Sequence, residues 1–553
     1  MSFDTPVPAS TDLPLDGHSL TPVALIAAAA NPVRPIVSDA VWTRVRTANT
    51  VLLQAAAEGQ KIYGLTTGVG ANKDQKELEA ANLLGPDGGL TPEAATISAE
   101  FNKALLNAHG AGVGEAAPAA VVRAAMIVRL NCALTGGSGM EESVARRLAE
   151  MLEHDILPMI PYRGSVGQAD ITLMSHVGLV MKGRWWADHK GTRKTGDRAL
   201  ADAGLEPLTL LGKDALSCFS SNAYSGALAA EALYKLEQFQ AMLAPVFAMC
   251  LQALNGNLAP LMAEPASLRP FPRVIEVAER IRKRLAGSYL YDPSDSRPLQ
   301  DPLSYRTAIY QFGGLDQALS DMENVLEIQL NAADDNPVVF VGDVSPTTAK
   351  LPGVHLVKKP GLEGAVVPSA SFSPLPQVLA QQSVAIACGH VSEGILNRTL
   401  ALMDPHLTGL PRFLRGPDAV HAFGAIHKPI GAVAAENREL ANPVSMDFAA
   451  LALGIEDMAT NAPRVARRLI RIAENMSILL AFELLLAAQA IDLRLQKDPK
   501  LALSAGTRVL HAKYRQVVPF LSGDTQVLST LIDLSHKFIL TIRPSHDPET
   551  DGI

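Results

Sequence analysis

From Thr21 onward the chain is dominated by long Ala- and Leu-rich stretches in which polar residues are spaced rather than clustered. Val121–Leu134, Val144–Leu157, Ala223–Leu254, Leu315–Leu330, Pro376–Leu402, Ala432–Leu440 and Ala462–Leu493 are rich in the best helix formers and predict helices. Several are apolar on more than one face. The extreme case is Ser477–Ala490, and a helix apolar nearly all round belongs either in a membrane or at the centre of a large bundle. Glu483 and Asp492 interrupt its densest part, Ile478–Leu493, and no other stretch reaches a membrane span, so the bundle is expected. Strand-like patterning is scarce; 337–341 and 364–367 are the candidates for a small sheet or hairpin. The expected organisation is a loose Pro- and Asp-rich segment over 1–20, a lobe of glycine-rich loops over 21–220, and a mostly α-helical bundle domain over 221–553.

With 553 residues, 48% of them apolar and 19% charged, the chain has enough apolar surface for a large core and is not disordered. A formal charge of -8 without a basic stripe argues against nucleic acid as a partner. Cys132, Cys218, Cys250 and Cys388 are scattered without CxxC pairing, which speaks against a disulfide framework or a zinc site and fits a reducing cytoplasm. The start of the chain carries acids and prolines where a signal peptide needs a basic and then an apolar run.

Gly/Ser clusters punctuate the helices: Tyr63-Gly-Leu-Thr-Thr-Gly-Val-Gly70, Thr135-Gly-Gly-Ser-Gly139 and Gly164-Ser-Val-Gly167. The first lacks the Lys-Ser/Thr ending of a phosphate-binding loop and follows no clear strand, so nucleotide binding is not expected. To these clusters the chain adds Asn107-Ala-His-Gly-Ala-Gly-Val-Gly114, Arg129-Leu-Asn131, Gln300-Asp-Pro-Leu-Ser-Tyr-Arg306, Asp335-Asn-Pro337, Ala435-Glu-Asn437 and Ala487–Arg494. Taken in their order along the chain, these pieces resemble the aromatic amino acid ammonia-lyases and aminomutases, including histidine and phenylalanine ammonia-lyases, over most of the chain. The resemblance implies a mostly helical bundle assembled as a homotetramer, with active sites built from loops of more than one subunit and a small-molecule substrate.

The departures are informative. Members of that family carry Ala-Ser-Gly after Gly-Ser-Val-Gly, and those three residues cyclise to the electrophile methylidene-imidazolone. Here Gly167 is followed by Gln168-Ala169-Asp170, so no such cofactor is expected. The family's Asn-Gly pair beside the electrophile is replaced by Ser220-Ser221, and the tyrosine of Gln300–Arg306 by Leu303, with Tyr305 close by. An electrophile serves to convert an amine into a better leaving group. A quaternary ammonium has no lone pair to add to it and already leaves well, so loss of the electrophile suits a betaine that releases trimethylamine. The sequence is similar to the ergothionases, the subset that does this.

The resemblance assigns roles residue by residue. Tyr63 matches the catalytic base, whose phenol needs nearby cations to ionise; packing in a Gly-rich turn is the structural alternative, and Tyr305 is the second candidate base. Arg306 matches the carboxylate anchor, against an ion pair with Asp301 or Asp335. His109 and Glu436 match ring-binding positions that favour an imidazole, against a pairing of Glu436 with Arg438 or Lys428. Phe372 matches an aromatic residue near the leaving amine, able to contact a cation through its ring. Asn336 resembles a turn residue that also touches the carboxylate. Asp170 either attracts the trimethylammonium or holds backbone amides. The competing readings are an ordinary histidine or aromatic amino acid ammonia-lyase and a non-catalytic homologue.

Overall fold

The computed structural model describes residues 11–78 and 82–541. The fold is mostly helical, as the composition predicts. Helices run over Ala119–Leu134, Ala223–Leu254, Ala308–Leu330, Leu375–Leu402, His427–Leu440 and Ala462–Lys497. The helix expected over Val144–Leu157 is Glu142–Glu153; beyond it Asp155 takes a left-handed φ of 55° and Ile156–Pro158 becomes a strand paired with Trp186–His189. Ala462–Lys497 is the one helix among the described residues long and apolar enough to cross a membrane, and 89% of its most apolar stretch is buried within the chain.

The N-terminal segment departs from its expectation. Residues 1–10 lie outside the described residues, but Thr11–Pro14 is a strand pairing in parallel with Val33–Ile36. Leu13, Leu15 and Leu20 are buried, and removing three leucines from water holds a segment whose proline and acid content reads as loose.

Two compact units emerge, and they are not consecutive stretches meeting near residue 220. The first takes the chain up to Glu231, Glu323–Leu379 and Val444–Arg467; the second takes Ala232–Met322, Ala380–Pro443 and the chain from Arg468 onward. The long helices Ala223–Leu254, Ala308–Leu330, Leu375–Leu402 and Ala462–Lys497 each carry the chain from one unit to the other. In the first unit, helix Asp39–Ala57 lays Ala48, Val51, Leu52 and Ala55 against Val339, Val357 and Val366. Those valines belong to a three-stranded antiparallel sheet in which Leu362–Val367 lies between Val338–Val341 and His355–Lys359. The segments 337–341 and 364–367 anticipate Val338–Val341 and the central Leu362–Val367 in part; the other outer strand, His355–Lys359, is not anticipated, because its alternation is hidden by Lys358 and Lys359.

Candidate active site

In the first unit a short helix, Asp214–Phe219, and the turn after it organise the glycine loops. Gly64 has φ 74°, and a Cβ there would stand 2.3 Å from Leu216 Cδ2, so the loop bearing Tyr63 presses its backbone on this helix as only glycine allows. The His109 ring stacks on Phe219, with centroids 5.0 Å apart and planes 16° from parallel. His109 Nδ1 lies 2.8 Å from the Leu105 carbonyl, which requires the proton on Nδ1 in the neutral ring and leaves Nε2 as the acceptor.

Tyr63 is half-buried and its oxygen accepts the Gly70 backbone N–H at 2.7 Å. Burial raises its pKa above the ordinary phenol value, the Gly70 donor opposes this, and the nearby Glu456 carboxylate adds to the rise. The cationic neighbours expected for an ionised phenol are therefore not what surrounds it within the described residues. Glu456 comes from the segment containing Ala452–Gly454, which packs on Gly70–Asn72 of the same loop.

The turn 164–170 is wired into this hub. Gly167 has φ 80°, and a Cβ there would lie 2.4 Å from Thr460 Oγ1, which donates to the Gly167 carbonyl at 2.6 Å. Asp170 is fully buried. Its Oδ1 accepts from Ser165 Oγ at 2.8 Å, its Oδ2 accepts the Ser225 N–H at 2.8 Å, and its own N–H donates to the Ser221 carbonyl at 2.7 Å. Of the two roles expected for Asp170, this geometry is that of holding backbone amides, with both carboxylate oxygens occupied. Burial pushes its pKa up while those donors hold it down.

Behind the turn lies a buried charge cluster that the motifs did not flag as functional. Arg129 reaches Asp334 at 3.1 Å and Asp335 at 3.1 Å, and Lys213 Nζ lies 3.5 Å from Asp335. Burial raises the Asp334 carboxyl to about 6, with Arg129 pulling it down and Asp335 pushing it up. Asp334 Oδ2 accepts from Ser221 Oγ at 2.9 Å and from the Asn222 N–H at 2.7 Å, which fixes the Ser-Ser-Asn turn. Asn336, next along the chain, accepts the Ser369 N–H at 3.0 Å, the role of a turn residue. The Phe372 carbonyl accepts the Ala169 N–H at 3.0 Å and Asn222 Nδ2 at 2.8 Å, so Phe372 sits at the same turn as Asp170.

Tyr305, Arg306 and Glu436 belong to the second unit. Arg306 Nε donates to the Asp301 carbonyl at 2.8 Å, a backbone contact rather than an ion pair, and its other guanidinium nitrogens have no partner among the described residues. Tyr305 is 2% exposed, its hydroxyl 3.2 Å from the Arg398 carbonyl and 3.4 Å from Cys250 Sγ. Burial, with Cys250 next to it, drives that phenol well above its ordinary pKa. This environment corrects Tyr305 from candidate base to core residue: no face of the ring is open to a substrate. It lies beside a buried pair, Arg398 Nε to Glu483 at 2.5 Å, that no sequence motif marks. Glu436 pairs with Arg471 at 2.9 and 3.3 Å, not with Arg438 or Lys428, and that bidentate contact lowers its pKa. Within one chain its carboxylate is paired in this way on a partly exposed surface. The carboxylate that the structure brings near Tyr63 is Glu456; its only signal in the sequence was an acidic pair, Glu456-Asp457, in an otherwise apolar segment.

A mostly helical chain, a tyrosine on a glycine loop and a glycine-bounded turn locked to a polar hub define a carbon–nitrogen lyase scaffold. The chain belongs to the aromatic amino acid lyase family, whose model matches residues 20–516. It is 30% identical over 537 residues to histidine ammonia-lyase of Anaeromyxobacter dehalogenans, covering 94% of this chain and 98% of that one. Among solved structures it is similar to ergothionase from Treponema denticola, determined in complex with desmethyl-ergothioneine sulfonic acid, with TM-score 0.83 and 33% identity over 96% of this chain and 99% of that one. It is also similar to histidine ammonia-lyase from Trypanosoma cruzi, with TM-score 0.80 and 26% identity over 96% and 94%.

Proposed function

We propose that this lyase eliminates trimethylamine from a betaine of an imidazole amino acid, ergothioneine-like, without a methylidene-imidazolone. The carrying observation is the turn itself: Gln168-Ala169-Asp170 stands where the cyclising triad would, and Asp170 is tied to Ser165 and Ser225 by ordinary hydrogen bonds. The similarity to ergothionase supports the same reading.

In this mechanism Tyr63 takes the β-proton. The C–H electron pair forms the Cα–Cβ double bond, the Cα–N bond breaks, and trimethylamine leaves with the bonding pair. The phenol lies in a site that favours its neutral form, so the substrate's own fixed positive charge supplies the cation that the surrounding residues do not. His109 offers Nε2 to a ring N–H. Glu456, the carboxylate near Tyr63, is the second acceptor in this proposal. Arg306 grips the carboxylate through its unpartnered nitrogens. As the family resemblance implies, we assign the protein to a cytoplasmic homotetramer whose subunits share active sites.

The test compares one imidazole amino acid with a free and a trimethylated α-amine. The trimethylated form should turn over with the loss concentrated in kcat for the free amine, since carboxylate and ring contacts are common to both. Comparable ammonia release from histidine would restore an ordinary ammonia-lyase.

A further inference from the structure

A buried carboxylate is defined by the hydrogens that point at it, and these can be counted. Asp334 is buried and faces three. Arg129 Nη1 donates to its Oδ1 at 3.1 Å, while Ser221 Oγ at 2.9 Å and the Asn222 N–H at 2.7 Å both donate to its Oδ2. Ser221 and Asn222 in turn hold the loop that ends at Asp170. The Ser221 carbonyl accepts the Asp170 N–H at 2.7 Å, and Asn222 Nδ2 donates to the Phe372 carbonyl, which also accepts the Ala169 N–H. Asp334 is thus connected to two consecutive amides of the turn by unbroken hydrogen bonds.

A proton on Asp334 disturbs this arrangement. Oδ1 faces a guanidinium and Oδ2 a backbone N–H, and neither can accept it. The remaining acceptor is Ser221 Oγ, which already accepts the Ala223 N–H at 3.1 Å and would have to turn its own hydrogen away from the carboxyl. That hydrogen has no other acceptor among the described residues, and Ser221 is fully buried, so the hydrogen is stranded. The converse follows from linkage: giving up the Ser221 and Asn222 donors raises the affinity of the carboxyl for a proton, so protonation favours release of the turn. The other titratable groups facing Asp334 do not relieve it. Arg129 and Cys132, both on helix Ala119–Leu134, are a fixed cation and a thiol kept neutral by burial. Asp335, paired with Arg129 and Lys213, repels a second negative charge. Because burial has brought the Asp334 carboxyl up to about 6, the proton arrives just below neutrality.

We infer that Asp334 is a positioning residue: ionised, it clasps the turn Gly164–Asp170 through Ser221 and Asn222, and protonated, it releases that turn while the rest of the chain stays folded. The clasp is independent of the betaine reading, and its test needs no substrate.

The experiment follows amide hydrogen exchange of the full-length protein by mass spectrometry between about pH 8 and about pH 5, corrected for the intrinsic pH dependence of exchange, with Tm measured across the same range. In the wild type, protection of the peptide spanning Gly164–His176 should fall about tenfold per pH unit below about 6, as release linked to one proton requires, while Tm does not fall. Ser221→Ala takes one donor from the carboxylate and should move the onset to higher pH. Asp334→Asn is never charged and should leave the peptide weakly protected throughout, with no pH dependence. Should Asp334→Asn not fold, the onset in Ser221→Ala decides. Protection that is independent of pH in the wild type, that falls only in step with Tm, or whose onset is unmoved in Ser221→Ala overturns the inference. Failure to turn over any betaine would overturn the proposed function and leave the clasp standing.

Discussion

The Tyr63 oxygen accepts the Gly70 backbone N–H at 2.7 Å, so the expected base is folded onto its own loop; that donor favours the phenolate, but burial, with Glu456, outweighs it and favours the neutral phenol. Its folded pKa lies above the ordinary phenol value of about 10, and the reactive phenolate fraction therefore grows with pH. The pH profile of kcat/KM should rise with unit slope through the neutral range. Tyr63→Phe should remove that slope and lower kcat by about 10²–10⁴ while thermal unfolding stays put. A variant retaining its rate would place the base elsewhere.

Glu456 and Glu436 should behave differently. Glu456→Gln removes a negative charge near the phenol, so the alkaline limb should move to lower pH, and preference for an imidazole ring should fall. Glu436→Gln breaks only a half-exposed pair with Arg471, which contributes about 1 kcal/mol or less, and should leave kinetics unchanged. Identical profiles for the two variants would contradict the assignment of Glu456.

Asp170→Ala should act on the scaffold. It strands the buried Ser225 N–H and removes the main acceptor of the half-buried Ser165 hydroxyl, a cost of about 2–3 kcal/mol, visible as a lower Tm together with lost activity. Loss of activity at wild-type Tm would mean that the carboxylate touches the substrate.

Asp214 gives a pH signature of stability. Buried against the Glu141 and Leu211 amides, it is pushed up to about 7. An unfolded aspartate titrates near ~4, so between the two values the folded chain holds the extra proton and stability falls as pH rises. Tm should decline from pH 5 to pH 7, and Asp214→Asn should flatten that decline. An unaltered slope would assign it to other groups, with Asp334 next in line.

The helices and the glycine clusters were legible in the sequence because both are local: propensity fixes the first and backbone conformation the second. What failed was partner choice. Glu436 sits in a recognisable motif, yet Arg471 of helix Ala462–Lys497 claims it. Tyr305 neighbours Arg306 in sequence, but a four-residue helix, Leu303–Arg306, turns consecutive side chains to different surroundings, and only Tyr305 is sealed beside Arg398. Glu456 carries no helix or strand period of its own and is placed by the packing of its segment on Gly70–Asn72. The strand Thr11–Pro14 likewise owes its order to a partner some twenty residues away.

The turn from Gly164 to Asp170 is finished once its hydrogen bonds to Thr460, Ser225 and Ser221 have formed. A catalyst completed by folding alone requires no slow self-processing reaction afterwards. On the proposed reading its intact mass equals that of the encoded chain, without the loss of two waters between Gly164 and His176. Activity recovered after denaturation should then follow refolding and assembly without a further lag, and reagents that attack an electrophilic double bond should leave it untouched.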